Sequence, residues 1–201
     1  MTGPKGTRDA GDVRLHPVAP EEIGLDGIRP VLRTFHQDAR GFLVETLRVD
    51  DPEELGARFQ MTYSSLTRPG QFRDVDRWHV HDVQTDRFVV VLGEMILALY
   101  DQRPGSPTRE QLSVVRMVGA PYSARDGPVV PSEFASYLVP IPPGVLHCIG
   151  NLSREPFLLQ NFPTELYDPR DEGRVPFQDR TIASIGRAFS WDLVSIARGP
   201  S

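Results

Sequence analysis

The chain has 201 residues, 39% of them hydrophobic and 24% charged, with a formal net charge of −5. That length and apolar content suit one ordinary globular core, and the acidic balance argues against nucleic acid or an anionic membrane as partner. The lone cysteine, Cys148, excludes an internal disulfide framework and points to a reducing compartment.

The first residues, MTGPKGTRDAGD, carry no apolar core of a signal peptide. No apolar run approaches a membrane span, so the expected location is the cytoplasm. Residues 1–20 read as a flexible arm, order is expected from about Pro30, and residues 21–201 form a single domain. Val31 to Phe35 and Phe42 to Val49 alternate as strands around the turn QDARG, which predicts a hairpin. Asp51 to Ala57 has the N-cap and first-turn proline of a short helix.

Further strands are expected at Phe59 to Leu66 and over the two-histidine stretch that opens DRWHVHDVQTD. Apolar runs follow at Phe88 to Leu92 and Met95 to Tyr100, broken by Gly93-Glu94. Asp101 to Thr108 reads as a turn, Leu112 to Val118 as a strand and Gly119 to Glu133 as a surface loop or lid. Ala135 to Ile141, Val145 to Ile149 and Phe157 to Phe162 complete the strand set. Beyond Pro163 the alternation fades; a short helix is expected from Asp179, and Ser190 to Ile196 closes the chain. The 19 prolines and 17 glycines fit many short strands and little helix. The expected fold is all-β, closed as a barrel or packed as a sandwich.

His79 and His81 stand two apart in a strand, so both imidazoles face the same way. Asp86 follows, and His147 sits behind the turn Pro142-Pro143-Gly144. Three histidines and a carboxylate are the ligand types a divalent transition metal takes. They are also the groups that proton abstraction beside a carbonyl uses. Cys148 faces away from His147 as a core thiol, Trp78 and Trp191 pack, and His16 and His36 lie at the surface.

The order His79-x-His81, Asp86, Gly93 resembles the first motif of the cupin superfamily, with Asp for the usual Glu. Pro142-Pro143-Gly144, His147 and Asn151 resemble the second. The resemblance implies a double-stranded β-helix jelly-roll barrel with few short helices, and an inward-facing ligand set of His79, His81, Asp86 and His147 for iron, manganese, zinc or nickel. A second resemblance runs from about residue 30 to 192. Ala39 to Glu45 (ARGFLVE), Phe59 to Ser65 (FQMTYSS), Ile141 to His147, and Tyr167-Asp168-Pro169 through Asp179 are similar to segments of the dTDP-4-dehydrorhamnose 3,5-epimerases. These are metal-free, dimeric cupins that act on nucleotide-linked 4-keto-6-deoxy sugars.

That second resemblance implies His79 as general base oriented by Asp179. It implies Arg40 on a nucleotide phosphate, Glu45 and Gln60 on sugar or base, and His147 near the sugar. The chain departs from the pattern at four places. Asp76 stands for an arginine, His81 for a glutamine and Asp86 for the enolate-stabilising lysine; Leu159 falls near the proton-returning tyrosine. Three of these changes remove epimerase chemistry and two complete a metal site. Tyr63 and Tyr100 lie on neighbouring strands as alternative acids, and the sequence does not choose between them. The His-x-His pair also resembles the dTDP-keto-sugar 3,4-ketoisomerases.

Three readings stand. The first is an isomerase or epimerase of a dTDP-linked 4-keto-6-deoxy sugar without cofactor, working as a homodimer. The second is a metal-dependent cupin enzyme, isomerase or oxygenase, with a site of three histidines and one aspartate. The third is a non-catalytic sugar-binding cupin.

Overall fold

A computed structural model describes residues 15–38, 40–52, 59–122 and 136–194. Two antiparallel sheets face each other. The first takes its strands in the order β1 (Val31–Arg33), β10 (Ser136–Ile141), β7 (Asp86–Leu92), β12 (Phe157–Asn161) and β4 (Tyr63–Thr67). The second runs β13 (Glu172–Pro176), β6 (Arg77–His81), β11 (Val145–Gly150), β8 (Glu94–Asp101) and β9 (Leu112–Val118), with β5 (Phe72–Arg73) also pairing β11. A separate hairpin joins β2 (Phe35–Asp38) and β3 (Gly41–Val44). The fold is all-β, as expected from the strand pattern, and closes as the cupin-type jelly roll that the motif resemblance implies.

Period-two alternation assigns every side chain to a face. Phe88, Val90, Leu97, Leu99, Val115, Val139, Val145, Phe157 and Leu159 point between the sheets and form the main core. On the other face of the second sheet, Trp78, Val80, Ile96, Ala98, Tyr100, Leu146 and Cys148 form a second core with Phe177, Ile182, Phe189 and Trp191. The chain beyond β13 is therefore a cover for that sheet. Trp78 is completely buried, with the rings of Phe177 and Phe189 5.0 and 4.9 Å from its own. Trp78 and Trp191 pack as expected, and His16 and His36 are exposed.

Two turn glycines are required by geometry. Gly93 links β7 to β8 at φ +78°, and a Cβ there would lie 2.3 Å from the Pro156 carbonyl oxygen. Gly144 closes the Pro-Pro-Gly turn at φ +77° and donates its N–H to the His81 carbonyl at 2.8 Å. That turn thus ties the two histidine segments together.

Several expectations need correction. Order begins well before Pro30: Leu15 bridges Val194, Val18 bridges Val115, and Ile23, Leu25 and Ile28 are buried in the main core. Residues 15–20 are thus tied to the body of the fold, because the apolar Leu15 and Val18 find strand partners; residues 1–14 lie outside the described residues. Most of the helix expected at Asp51 to Ala57 also lies outside them, as does most of the loop Gly119 to Glu133. The helix expected from Asp179 does not form. A short 3-10 turn spans Phe177–Asp179, after which the Ile182 N–H reaches the Arg187 carbonyl at 3.0 Å and closes a tight loop. That loop delivers both Ile182 and Phe189 to the second core, which outweighs the weak helix propensity of Thr181 and Ile182. Strand β13, EGRVP, was not legible: it is held by main-chain pairing to β6 and ends in a proline at the sheet edge.

Candidate functional site

Alternation sends Trp78 and Val80 to the second core and His79 and His81 into the barrel. Register places His147 on β11 opposite His79 on β6. Asp86 enters from β7 on the facing sheet, followed two residues on by the core residue Phe88. The ring of His79 lies 4.6 Å from that of His81 and 4.9 Å from that of His147. The four residues picked out by their motif spacing thus come together.

Their protons can be followed. Asp171 accepts main-chain N–H bonds from Asp82, Val83 and Gln84 at 2.9, 2.7 and 3.1 Å, so the His81 Nδ1, 3.1 Å from the same carboxylate, is its donor. That leaves His81 Nε2 as an acceptor, and it receives the Gln84 amide at 3.1 Å. The same amide nitrogen donates to Asp86 Oδ1 at 2.8 Å, and Asn161 Nδ2 donates to that oxygen at 2.7 Å. The second oxygen, Asp86 Oδ2, faces His147 Nε2 at 3.3 Å and His81 Nε2 at 3.6 Å. His147 Nε2 is buried without a well-aligned hydrogen bond, and so is His79 Nε2, which stands 3.5 Å from Glu172 Oε1.

Burial would raise the Asp86 carboxyl, but His147, His81 and Asn161 around it outweigh burial and hold it low, at about 2. His79 is driven the other way from charge. Burial first, then His147, Arg174 and His81, lower its imidazole to about 2, against the pull of Asp86. His79 is therefore a neutral imidazole at neutral pH, with its Nε2 buried and without a hydrogen bond.

A cavity of about 760 Å³ opens between the sheets. Its walls include His79, His147, Glu172 and Arg174 from the second sheet, Tyr63, Ser65, Phe88 and Leu159 from the first, and Arg73 at its rim. Glu172 holds the Arg174 guanidinium, which also reaches Asp74 at 3.2 Å.

The other predicted site residues are placed elsewhere. Asp179 is exposed beyond the Arg77 end of β6, three residues past Pro176, so it does not orient His79; the carboxylate beside His79 is Glu172. Arg40, exposed at the β2–β3 turn, Glu45, paired with Arg48, and the exposed Gln60 do not line the cavity within this chain. Asn151 caps a turn, donating to the Thr67 and Glu155 carbonyls. Sequence reasoning missed Asp171, Glu172, Arg174, Gln84 and Asn161. The one available signal is the pair of carboxylates Asp171-Glu172 inside the closing region from Tyr167 to Asp179.

The donor set fits a divalent ion in part. One ligand atom each from His79, His81 and Asp86 lies within 4.8 Å of the others, and His147 Nε2 faces the same carboxylate without a donor. The His81 lone pair, however, is already met by the Gln84 amide.

A jelly roll with a neutral imidazole and carboxylates around an open cavity defines a cupin-type site able to move a proton. The comparisons agree. The chain is 36% identical over 144 residues to the probable low-salt glycan biosynthesis epimerase Agl13 of Haloferax volcanii, covering 70% of this chain and 80% of that one. It is 31% identical over 170 residues to the spore coat polysaccharide biosynthesis protein SpsL of Bacillus subtilis, covering 84% and 97%. A dTDP sugar isomerase from Desulfovibrio desulfuricans has the same fold, with TM-score 0.65 and 24% identity over 84% of this chain and 92% of that one. No protein-family model matches. The chain belongs to the family of these polysaccharide and glycan biosynthesis proteins, which includes the probable epimerase Agl13.

Proposed function

We propose that the protein epimerises a dTDP-linked 4-keto-6-deoxy sugar, with His79 as the base. The observation that carries this reading is the unbonded, neutral imidazole of His79 in the wall of a cavity large enough for a sugar. His79 takes the proton next to the C4 ketone; the C–H electron pair becomes the C=C bond of an enolate. Arg73, which lines the cavity outside the Arg174–Glu172–Asp74 ion pairs, supplies positive charge for the developing enolate oxygen or the diphosphate. Glu172, 3.5 Å from His79, stabilises the imidazolium formed. The likeness to a dTDP sugar isomerase and to a probable glycan biosynthesis epimerase supports the substrate class.

The test is deuterium wash-in at C3 and C5 of a dTDP-4-keto-6-deoxy sugar in heavy water. Exchange is expected in the native protein, with a fall of about a hundredfold or more in His79→Asn. Binding of the nucleotide sugar with no exchange sinks the proposal and leaves the sugar-binding reading.

The unpaired His147 Nε2 facing Asp86 also favours a second reading, in which His81, Asp86 and His147 hold a divalent ion. Such an ion supplies Lewis-acid polarisation of the ketone. Elemental analysis of untagged protein beside His81→Ala decides: about one transition metal per chain, lost in the variant, establishes this reading. A homodimer accounts for the exposed Leu32, Phe42, Leu43 and Phe59 on and beside the β2–β3 hairpin. Among the described residues no helix is long and apolar enough to cross a membrane, and we place the enzyme in the cytoplasm with its nucleotide-sugar substrate.

A further inference from the structure

We propose that Tyr63 is the acid that returns a proton to the sugar, on the face opposite His79. The inference rests on the epimerase reading and supplies the group that the reading lacks. Inversion of a carbon needs base and acid on opposite sides of the substrate. His79 belongs to β6 of the second sheet and Tyr63 to β4 of the first, and both line the same cavity.

The direction of the Tyr63 hydroxyl follows from the network behind it. Asn161 Oδ1 accepts the Arg87 main-chain N–H at 2.9 Å, which fixes the amide orientation. The two hydrogens on Asn161 Nδ2 then go to Asp86 Oδ1 at 2.7 Å and to the Tyr63 oxygen at 2.9 Å. The phenol oxygen is thus an acceptor toward Asn161, and its own hydrogen is free to point into the cavity. Burial first and then the Asp86 charge raise the phenol above its ordinary value, against Asn161 and Arg73, so it is a protonated acid at neutral pH. After donation, the Asn161 N–H and the Arg73 charge remain to stabilise the phenolate. Ser65, two residues along the same inner face, lines the cavity with a buried hydroxyl that makes no hydrogen bond. It is placed to hold a sugar oxygen against that wall.

The other candidate, Tyr100, is removed by the fold. It points into the second core, with its ring 6.1 Å from that of Trp78. At Leu159, on the inner face of β12, an aliphatic side chain has no proton to give.

The step balances. The enolate C=C pair takes the Tyr63 proton, the C4 carbonyl re-forms and a phenolate remains. Solvent then reprotonates the phenolate and accepts the proton carried by His79.

The experiment follows Tyr63→Phe in heavy water with a dTDP-4-keto-6-deoxy sugar, measuring deuterium incorporation and epimer formation separately. Expected is a loss of epimer of about a hundredfold or more, with wash-in into the starting epimer within about threefold of the native rate. His79 alone then removes and replaces the proton on one face. Epimer formation within about threefold of native, or equal loss of exchange and inversion, overturns the assignment. Native protein without exchange overturns the epimerase reading itself, and Tyr63 with it. Should the phenylalanine variant not fold, fluorotyrosine at position 63 serves instead. Its more acidic phenol moves the basic limb of the inversion pH profile downward, and an unmoved limb overturns the proposal.

Discussion

Holding His79 neutral carries a cost that acid conditions reveal. Its imidazole is lowered from 6.5 to about 2 by burial and by His147, Arg174 and His81. An unfolded chain binds a proton at this histidine below pH 6.5 while the folded chain does not, so stability from this source falls as the pH drops through 6.5. At pH 8 neither state is protonated and the term vanishes. At pH 5 it amounts to about 2 kcal/mol of destabilisation. His79→Gln keeps a polar side chain of similar reach and removes the titration. Urea unfolding of both proteins at pH 8 and pH 5 gives a double difference in which other titrating groups cancel to first order. The variant is expected to gain about 2 kcal/mol on the native protein between the two pH values. Parallel losses in both proteins refute the claim that His79 is kept neutral, and with it the reason for naming it the base.

Further outcomes follow from the same geometry. Gly93→Ala forces a left-handed backbone on a side chain and sets its Cβ against the Pro156 carbonyl at 2.3 Å; a loss of at least about 2 kcal/mol is expected by denaturant titration. Asp171→Asn puts an amide where the Gln84 N–H and the His81 Nδ1–H now find an acceptor. It is expected to cost about 1–3 kcal/mol and to move the His81 proton to Nε2, read by nitrogen-15 NMR of the imidazoles. An unchanged His81 tautomer refutes the proton assignment.

The inward position of the histidines was legible because it depends only on period-two alternation within one strand. The same holds for the core: Phe88, Leu97, Leu99 and Val115 are strand residues whose facing is set locally. What stayed hidden depends on pairing across long stretches of chain. Glu172 stands beside His79 because β13 pairs β6, and β13 shows no apolar alternation to betray it. Asp179 was assigned by motif position alone, and the 3-10 turn at Phe177–Asp179 carries it past the edge of the site. The choice of Tyr63 over Tyr100 needed the register Asn161↔Tyr63 between β12 and β4, which no local pattern encodes.

A carboxylate at position 86 has the wrong sign for a residue facing an enolate, and its hydrogen bonds resolve the difficulty. One oxygen of Asp86 accepts from Gln84 and Asn161, and the other faces two imidazoles, so the charge is held within the barrel wall. Asp86 is absent from the cavity lining, where Arg73 is the cation outside the Arg174–Glu172–Asp74 ion pairs. The carboxylate then acts through its donors. Asn161 fixes the Tyr63 oxygen as an acceptor, and Gln84 fixes the His81 lone pair. One buried charge thereby orients a group on each sheet, and a lysine in its place would have no acceptor to offer either amide.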